Sequence, residues 1–188
     1  MTVEIIIPTF NRLHPLKCML ESLLSQTNPN WSANVVIDNE ENERYFHLFT
    51  SDYPDNIRFT YLNKRYNDYG HTPREIGKQM STADYVVLTN DDNYYTPNFV
   101  DELLKATETN PGIIYWDMVH SYYNYSHFKC KPFYNQIDMG AFATRRDMAQ
   151  SVHMKTTFAA DGLFINELIE KYPQEKIVKI DKILFVHN

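Results

Sequence analysis

Two hydrophobic periods alternate along the chain, and the switches between them mark its elements. Residues 3–7 form a β-branched apolar run closed by Pro8, after which Leu13, Leu16, Leu20, Leu23 and Leu24 recur at helical spacing until the QTNPN stretch at 26–30. Residues 35–37 read as a second strand with Asp38 at its end, 40–50 as a polar helix, 57–62 as a third strand, 73–80 as a short helix and 85–88 as a fourth strand. Thr96 then stands where a helix N-cap belongs, with Pro97 at the first helical position, and that helix runs through Leu103 and Leu104 to a stop at the TNPG of 109–112. Beyond Gly112 the pattern is less regular: 113–119, 141–144 and 177–186 read as strands and 161–171 as a helix. The repeated strand–helix order predicts an α/β fold whose sheet is mainly parallel, with helices on both faces. No internal repeat, low-complexity tract or linker interrupts it, so the expectation is one domain with halves at 1–112 and 113–188.

In such sheets ligands collect at the carboxyl ends of the strands. Three of those ends carry hydrogen-bonding or acidic residues: Thr9 and Asn11 in PTFNR, then Asp38, then Asp91 and Asp92 in TNDDN. Burying ionised carboxylates without compensation is costly, so a chain that runs an apolar strand straight into adjacent acids either opens them to water or supplies a cation. Mg²⁺ and Mn²⁺ prefer oxygen ligands shared between carboxylate and phosphate, and a nucleoside diphosphate provides the phosphate. Neither GxGxxG nor GxxxxGK[ST] occurs and the chain has only five glycines, so metal and side chains must carry the phosphate in place of a glycine-rich cradle. The plainer alternative for Asp38, Asp91 and Asp92 is that they are acidic turn residues.

Composition narrows the classes. With 188 residues, 43% hydrophobic and 22% charged, the chain can bury a sizeable core without disulfide support, and Cys18 and Cys130 show no metal spacing. A net charge of −6 with no basic tract argues against nucleic acid as a partner. Fourteen tyrosines suit sugar contacts, and equally a tyrosine-rich core and surface. The N-terminal stretch has no basic leader and no segment approaches the ~20 apolar residues of a membrane span, so the expected location is the cytoplasm, with peripheral attachment to the cytoplasmic face of a membrane left open. His120, His127 and His153 show no ligand spacing.

Four stretches, VEIIIPTFNR, VVIDNEEN, NDYGHTPREIG and YVVLTNDDNYYTPNFVDELL, together resemble the family 2 glycosyltransferases of GT-A fold. The resemblance is ordered and correctly spaced over residues 3–112 and traceable over IDMGAFATRR, AADGLFINEL and the final LFVHN. It implies a Rossmann-like, mainly parallel sheet flanked by helices, with a small mixed acceptor-side region. The implied activity is inverting transfer of a sugar from a nucleotide-diphosphate sugar, expected to be a UDP-sugar, to a hydroxyl of a glycan or lipid-linked saccharide in polysaccharide biosynthesis, with Mn²⁺ or Mg²⁺ as cofactor.

The resemblance also assigns residues. Pro8, Thr9, Phe10, Asn11 and Arg12 match the turn that holds the nucleotide, Asp38 the acid that bonds uracil, and Arg74 an arginine near the nucleotide. In the DxD-type element Asn90 stands where the first acid is usual, Asp91 is expected near the ribose and Asp92 on the metal, with His187 completing the metal site. Asp161 matches the catalytic base, although Ala160 precedes it where the family usually has Glu, and Asp138 is its rival. Two other classes stay open. A sugar nucleotidyltransferase would normally carry a glycine-rich, basic loop after the first strand, which PTFNRLHP is not, and a noncatalytic nucleotide-sugar or glycan-binding module would lack turnover. The chain is short for the family, so the acceptor side is expected to be trimmed, completed by a homo-oligomer partner, or part of a longer protein.

Overall fold

Strands β1 (Val3–Thr9) and β4 (Tyr85–Leu88) are buried along their whole length in the computed structural model, which describes residues 1–39 and 53–188. Their sequences explain this: apolar side chains project to both faces, the pattern of a parallel strand covered on both sides. With β2 (Trp31–Ile37) and β3 (Ile57–Tyr61) they make a parallel array in the order β3-β2-β1-β4. Helix α1 (Leu13–Leu24) leads from β1 towards β2, and α2 (His71–Met80) packs against β1 and β2. The helix expected over 40–50 lies outside the described residues.

The same sheet continues through the second half. A short β5 (Tyr94–Tyr95) and helix α3 (Phe99–Thr107) lead to β6 (Ile113–His120), then β7 (Ser126–Phe128), β8 (Phe142–Arg145), α4 (Arg146–Ser151), α5 (Ala160–Lys171) and β9 (Ile177–His187). Beyond β4 the order is β8-β6-β9-β5, with β7 hung on β6. Here β8 pairs antiparallel with both β4 and β6, while β6 and β9 run parallel. The expected parallel sheet is therefore the first four strands, and the mixed region is an extension of that sheet. Aromatic rings lock the two together: Tyr95 stacks on Phe99 at 4.1 Å, and Phe99 meets Trp116 edge-on at 5.1 Å.

Two helix starts differ from the sequence expectation. Thr96 does not cap α3, because its hydroxyl donates to Asn98 Oδ1 at 2.8 Å; the helix begins two residues later, at Phe99, with Asp101 and Glu102 facing its dipole in the first turn. Helix α2 begins at His71, ahead of Pro73, because Gly70 turns the chain in the left-handed region at φ 78°, and Pro73 sits in a first turn that needs no N–H from it. Strands β5 and β7 and helix α4 were too short to show a period.

The pairing of β6 with β9 shifts register around Asp117. This buried carboxylate is satisfied by His127 Nε2 at 2.9 Å, the Cys130 N–H at 3.0 Å and Lys179 Nζ at 3.0 Å. Cys18 and Cys130 are free thiols, and among the described residues no helix is long and apolar enough to cross a membrane.

Candidate active site

The carboxyl ends of β1, β2 and β4 open on a cavity of about 990 Å³ that second-half residues also line. At the end of β1, Thr9 is buried and its hydroxyl donates to Asp91 Oδ2 at 2.7 Å. Arg12, at the N-cap position of α1, reaches across to the end of β4, with NH1 3.1 Å from Asp91 Oδ1 and NH2 2.7 Å from Asp92 Oδ2. Burial pushes the Asp91 carboxyl up to about 6, against the Thr9 hydrogen bond and the Arg12 charge that hold it down.

Asp38 is buried at the end of β2 and accepts two backbone hydrogen bonds, from the Tyr66 N–H at 2.8 Å and the Asn67 N–H at 3.1 Å. It thereby fixes a loop whose Asn67, Tyr69 and Gly70 all have left-handed backbone, with φ of 55°, 60° and 78°. A Cβ on Gly70 would also lie 3.0 Å from the Pro8 ring, so that loop and the end of β1 close on each other only with glycine there. Arg74, buried in α2, donates to the carbonyls of Thr89 and Tyr69, each at 3.0 Å, and to Asn90 Oδ1. Burial lowers its pKa while the charges of Asp138, Asp161, Asp91 and Asp68 oppose the shift, so acids from both halves of the chain act on one guanidinium.

In the second half, Asp161 is the second residue of α5 and Asp138 precedes a single 3-10 turn, where its Oδ1 accepts the Gly140 N–H at 2.8 Å. Burial, then the charge of Asp138, push Asp161 up to about 6. Its Oδ1 accepts the Gly162 N–H at 2.7 Å. Asp161 lies inside the first turn of α5, after Ala159 at the N-cap. His187, at the end of β9, stacks on His120 at 4.0 Å, with Nδ1 3.3 Å from Ser121 Oγ and Nε2 3.6 Å from Asp138 Oδ2. Its ring nitrogens thus engage Ser121 and Asp138, although it shares the cavity with Asp92.

Of the residues singled out in the sequence, Pro8, Thr9, Phe10, Arg12, Asp38, Arg74, Asn90, Asp91, Asp92, Asp138, Asp161 and His187 all line this cavity. Asn11 does not. It is exposed with φ 52°, the left-handed residue that turns β1 into α1, a role asparagine takes more readily than most residues. Sequence reading missed Arg65, whose guanidinium lies 3.5 Å from the Phe10 ring centroid, together with His71, His120, Tyr122 and Phe158. His71 sits inside the NDYGHTPREIG stretch; the others carried no spacing signal.

The donor set fits a hard dication. Asp91 and Asp92 offer carboxylate oxygens at the cavity, yet among the described residues no group of three or more His, Cys, Asp and Glu gathers to hold a metal. Such an ion would need further oxygens from its ligand, as phosphate supplies.

Comparison with known proteins agrees with this geometry. An uncharacterized glycosyltransferase of Haemophilus influenzae is 27% identical over 111 residues, 59% of this chain and 36% of its own length. The uncharacterized glycosyltransferase YwdF of Bacillus subtilis is 28% identical over 121 residues, 64% of this chain and 41% of its own. The chain thus spans well under half of either relative. Among solved structures, S. aureus TarS 1–349 superposes with a TM-score of 0.81 at 14% identity, covering 100% of this chain and 60% of that one. The mannosyltransferase PcManGT from Pyrobaculum calidifontis, in complex with GDP-Man and Mn²⁺, gives 0.75 at 15% identity over 98% of this chain and 56% of that one. At such identities these likenesses establish the GT-A fold. The family itself follows from sequence: residues 4–162 match glycosyl transferase family 2, and the chain belongs to that family.

Proposed function

We propose that this protein transfers a sugar, with inversion, from a nucleoside-diphosphate sugar to a hydroxyl of a glycan or lipid-linked saccharide. The observation that carries the reading is one cavity lined by carboxylates from both halves of the chain, Asp91 and Asp92 from the first and Asp138 with Asp161 from the second, with the buried Arg74 among them. Residues 1–112 would bind the donor and residues 113–188 the acceptor. Structural relatives in complex with UDP-GlcNAc, with UDP, and with GDP-Man and Mn²⁺ support a nucleotide donor.

Each group has a part. The Phe10 and Arg65 planes wall the nucleobase region, and Asp38 accepts the ring N–H of uracil: each of its oxygens holds one backbone N–H and keeps a lone pair free. Asp91 meets the ribose. Asp92 would hold Mn²⁺ or Mg²⁺ together with the diphosphate, and such an ion neutralises charge on a leaving diphosphate. Asp161 takes the proton from the acceptor hydroxyl as that oxygen bonds to the anomeric carbon, while the diphosphate departs on the opposite face; a carboxyl raised to about 6 is a better proton acceptor than an ordinary one and is still ionised at neutral pH. Exposed rings of Tyr69, Tyr122 and Phe158 at the cavity offer apolar faces to a sugar.

The test is nucleotide binding by thermal stabilisation and calorimetry, with and without Mn²⁺. UDP should stabilise the protein in the presence of Mn²⁺, by about 2.7 kcal/mol at a hundred times its Kd. CDP, lacking the ring N–H, should bind more weakly, and Asp92→Asn should lose the Mn²⁺-dependent part of UDP affinity. Unchanged Mn²⁺-dependent affinity in Asp92→Asn would remove the metal role, and equal UDP and CDP affinities would remove the base role of Asp38.

A further inference from the structure

Arg12 grips both acids of the TNDDN turn at once. One terminal nitrogen lies 3.1 Å from Asp91 Oδ1 and the other 2.7 Å from Asp92 Oδ2, while Thr9 holds the remaining oxygen of Asp91 at 2.7 Å. The partners differ sharply in exposure: the acid side chains are 5% and 21% exposed, the arginine side chain 48%. The guanidinium therefore reaches in from water and can swing back out, provided that another cation takes over the compensation of the buried Asp91 and of Asp92. A dication held by the same carboxylates would be repelled by the guanidinium in that position, so the two cations compete through their charge. Nor does the chain alone offer the dication a better seat, with no third acid, histidine or cysteine gathered beside the pair among the described residues.

We propose that Arg12, which holds Asp91 and Asp92 together, is a built-in counter-cation that competes with the divalent ion for Asp92. It keeps the two acids paired and oriented in the donor-free protein, and it yields them when a diphosphate arrives with the ion. The diphosphate supplies the metal with further oxygens and the displaced guanidinium with a new anion, a match that arginine's forked donors make well. Metal loading is thereby coupled to donor binding. This rests on the reading of Asp92 as the metal acid.

The test uses Mn²⁺ alone, with no nucleotide, read by the electron paramagnetic resonance signal of free Mn²⁺ in titrations at low ionic strength. Removing a competing positive charge should tighten Mn²⁺ binding in Arg12→Gln by ~10-fold or more over wild type, a change of about 1.4 kcal/mol. Arg12→Lys, which keeps the charge, should stay near wild type, and Arg12→Gln combined with Asp92→Asn should lose the gain. Circular dichroism establishes that each variant is folded. If Arg12→Gln binds Mn²⁺ no tighter than wild type while the double variant loses the ion, the counter-cation role is overturned and the metal assignment stands. If the double variant keeps the Mn²⁺ bound by Arg12→Gln, the ion is not on Asp92 and both readings fall. Absence of Mn²⁺ binding to every variant up to millimolar concentration also overturns the proposal.

Discussion

At the scale of single residues, the acceptor-side carboxylate gives the sharpest expectations. Asp161→Asn should lose ~10²- to 10⁴-fold in transfer rate with UDP affinity near wild type, because a general base acts on the acceptor. The wild-type rate should fall as pH drops below about 6, where the raised carboxyl takes up its proton. Stability runs the other way. A carboxyl whose folded pKa is raised from 3.8 to about 6 binds its proton more tightly in the native state, so the protein loses stability as pH rises through that window. Asp161→Asn should accordingly melt at or above the wild-type temperature at pH 8, with the difference gone by pH 4. Full activity in Asp161→Asn alongside an inactive Asp138→Asn would exchange the two roles. These acids were legible as candidates through the family resemblance, while hydrophobic pattern marked the helix start at Asp161. Their proton affinities were not, since those depend on burial and on Asp138 standing 23 positions away in sequence.

At the scale of elements, α2 shows how closely the site is held. A Cβ on Gly77 would lie 2.5 Å from Ile6 Cγ2 and 2.9 Å from Val36 Cγ2, both methyls of fully buried strand residues that cannot move without moving the sheet. Gly→Ala in a helix normally gains up to ~1 kcal/mol. Overpacking a close-fitted core costs ~1–3 kcal/mol, so the clash should win and Gly77→Ala should be destabilised in urea unfolding, by about 1–2 kcal/mol. A stabilised variant would mean that α2 can lift from β1 and β2. Because Arg74 sits on this helix, such lifting would move the guanidinium on which both sets of acids act. The existence and type of this helix were readable from its pattern; its start was not, since that depended on Gly70 meeting Pro8.

At the scale of the whole molecule, one sheet passes through both halves. Residues 1–112 look self-contained in sequence, a run of strand–helix units. Yet β4 has β8 as its outer neighbour, and Tyr95 and Phe99 pack on Phe185 and Trp116 from the second half. Expressed alone, 1–112 should lack the near-ultraviolet circular dichroism and cooperative urea transition of the full chain, because the exposed strand edge and orphaned aromatic surface remove core that a small domain cannot spare. A cooperative transition with a near wild-type midpoint would show instead that the donor half folds independently.

While Asp138 and Asp161 were reached through the family resemblance, the sequence by itself determined the parallel first half and the strand-end acids Asp38, Asp91 and Asp92. Those features are local: apolar periods set the strands, and in a parallel sheet the strand ends fall on one edge. Only the tertiary structure decided how β5 to β9 extend that sheet, that Arg12 spans 80 positions to hold Asp91 and Asp92, and that His187 stacks on His120 while facing Asp138. Pairing of short strands and the reach of long polar side chains depend on which segments meet in space, and hydrophobic period carries no record of that.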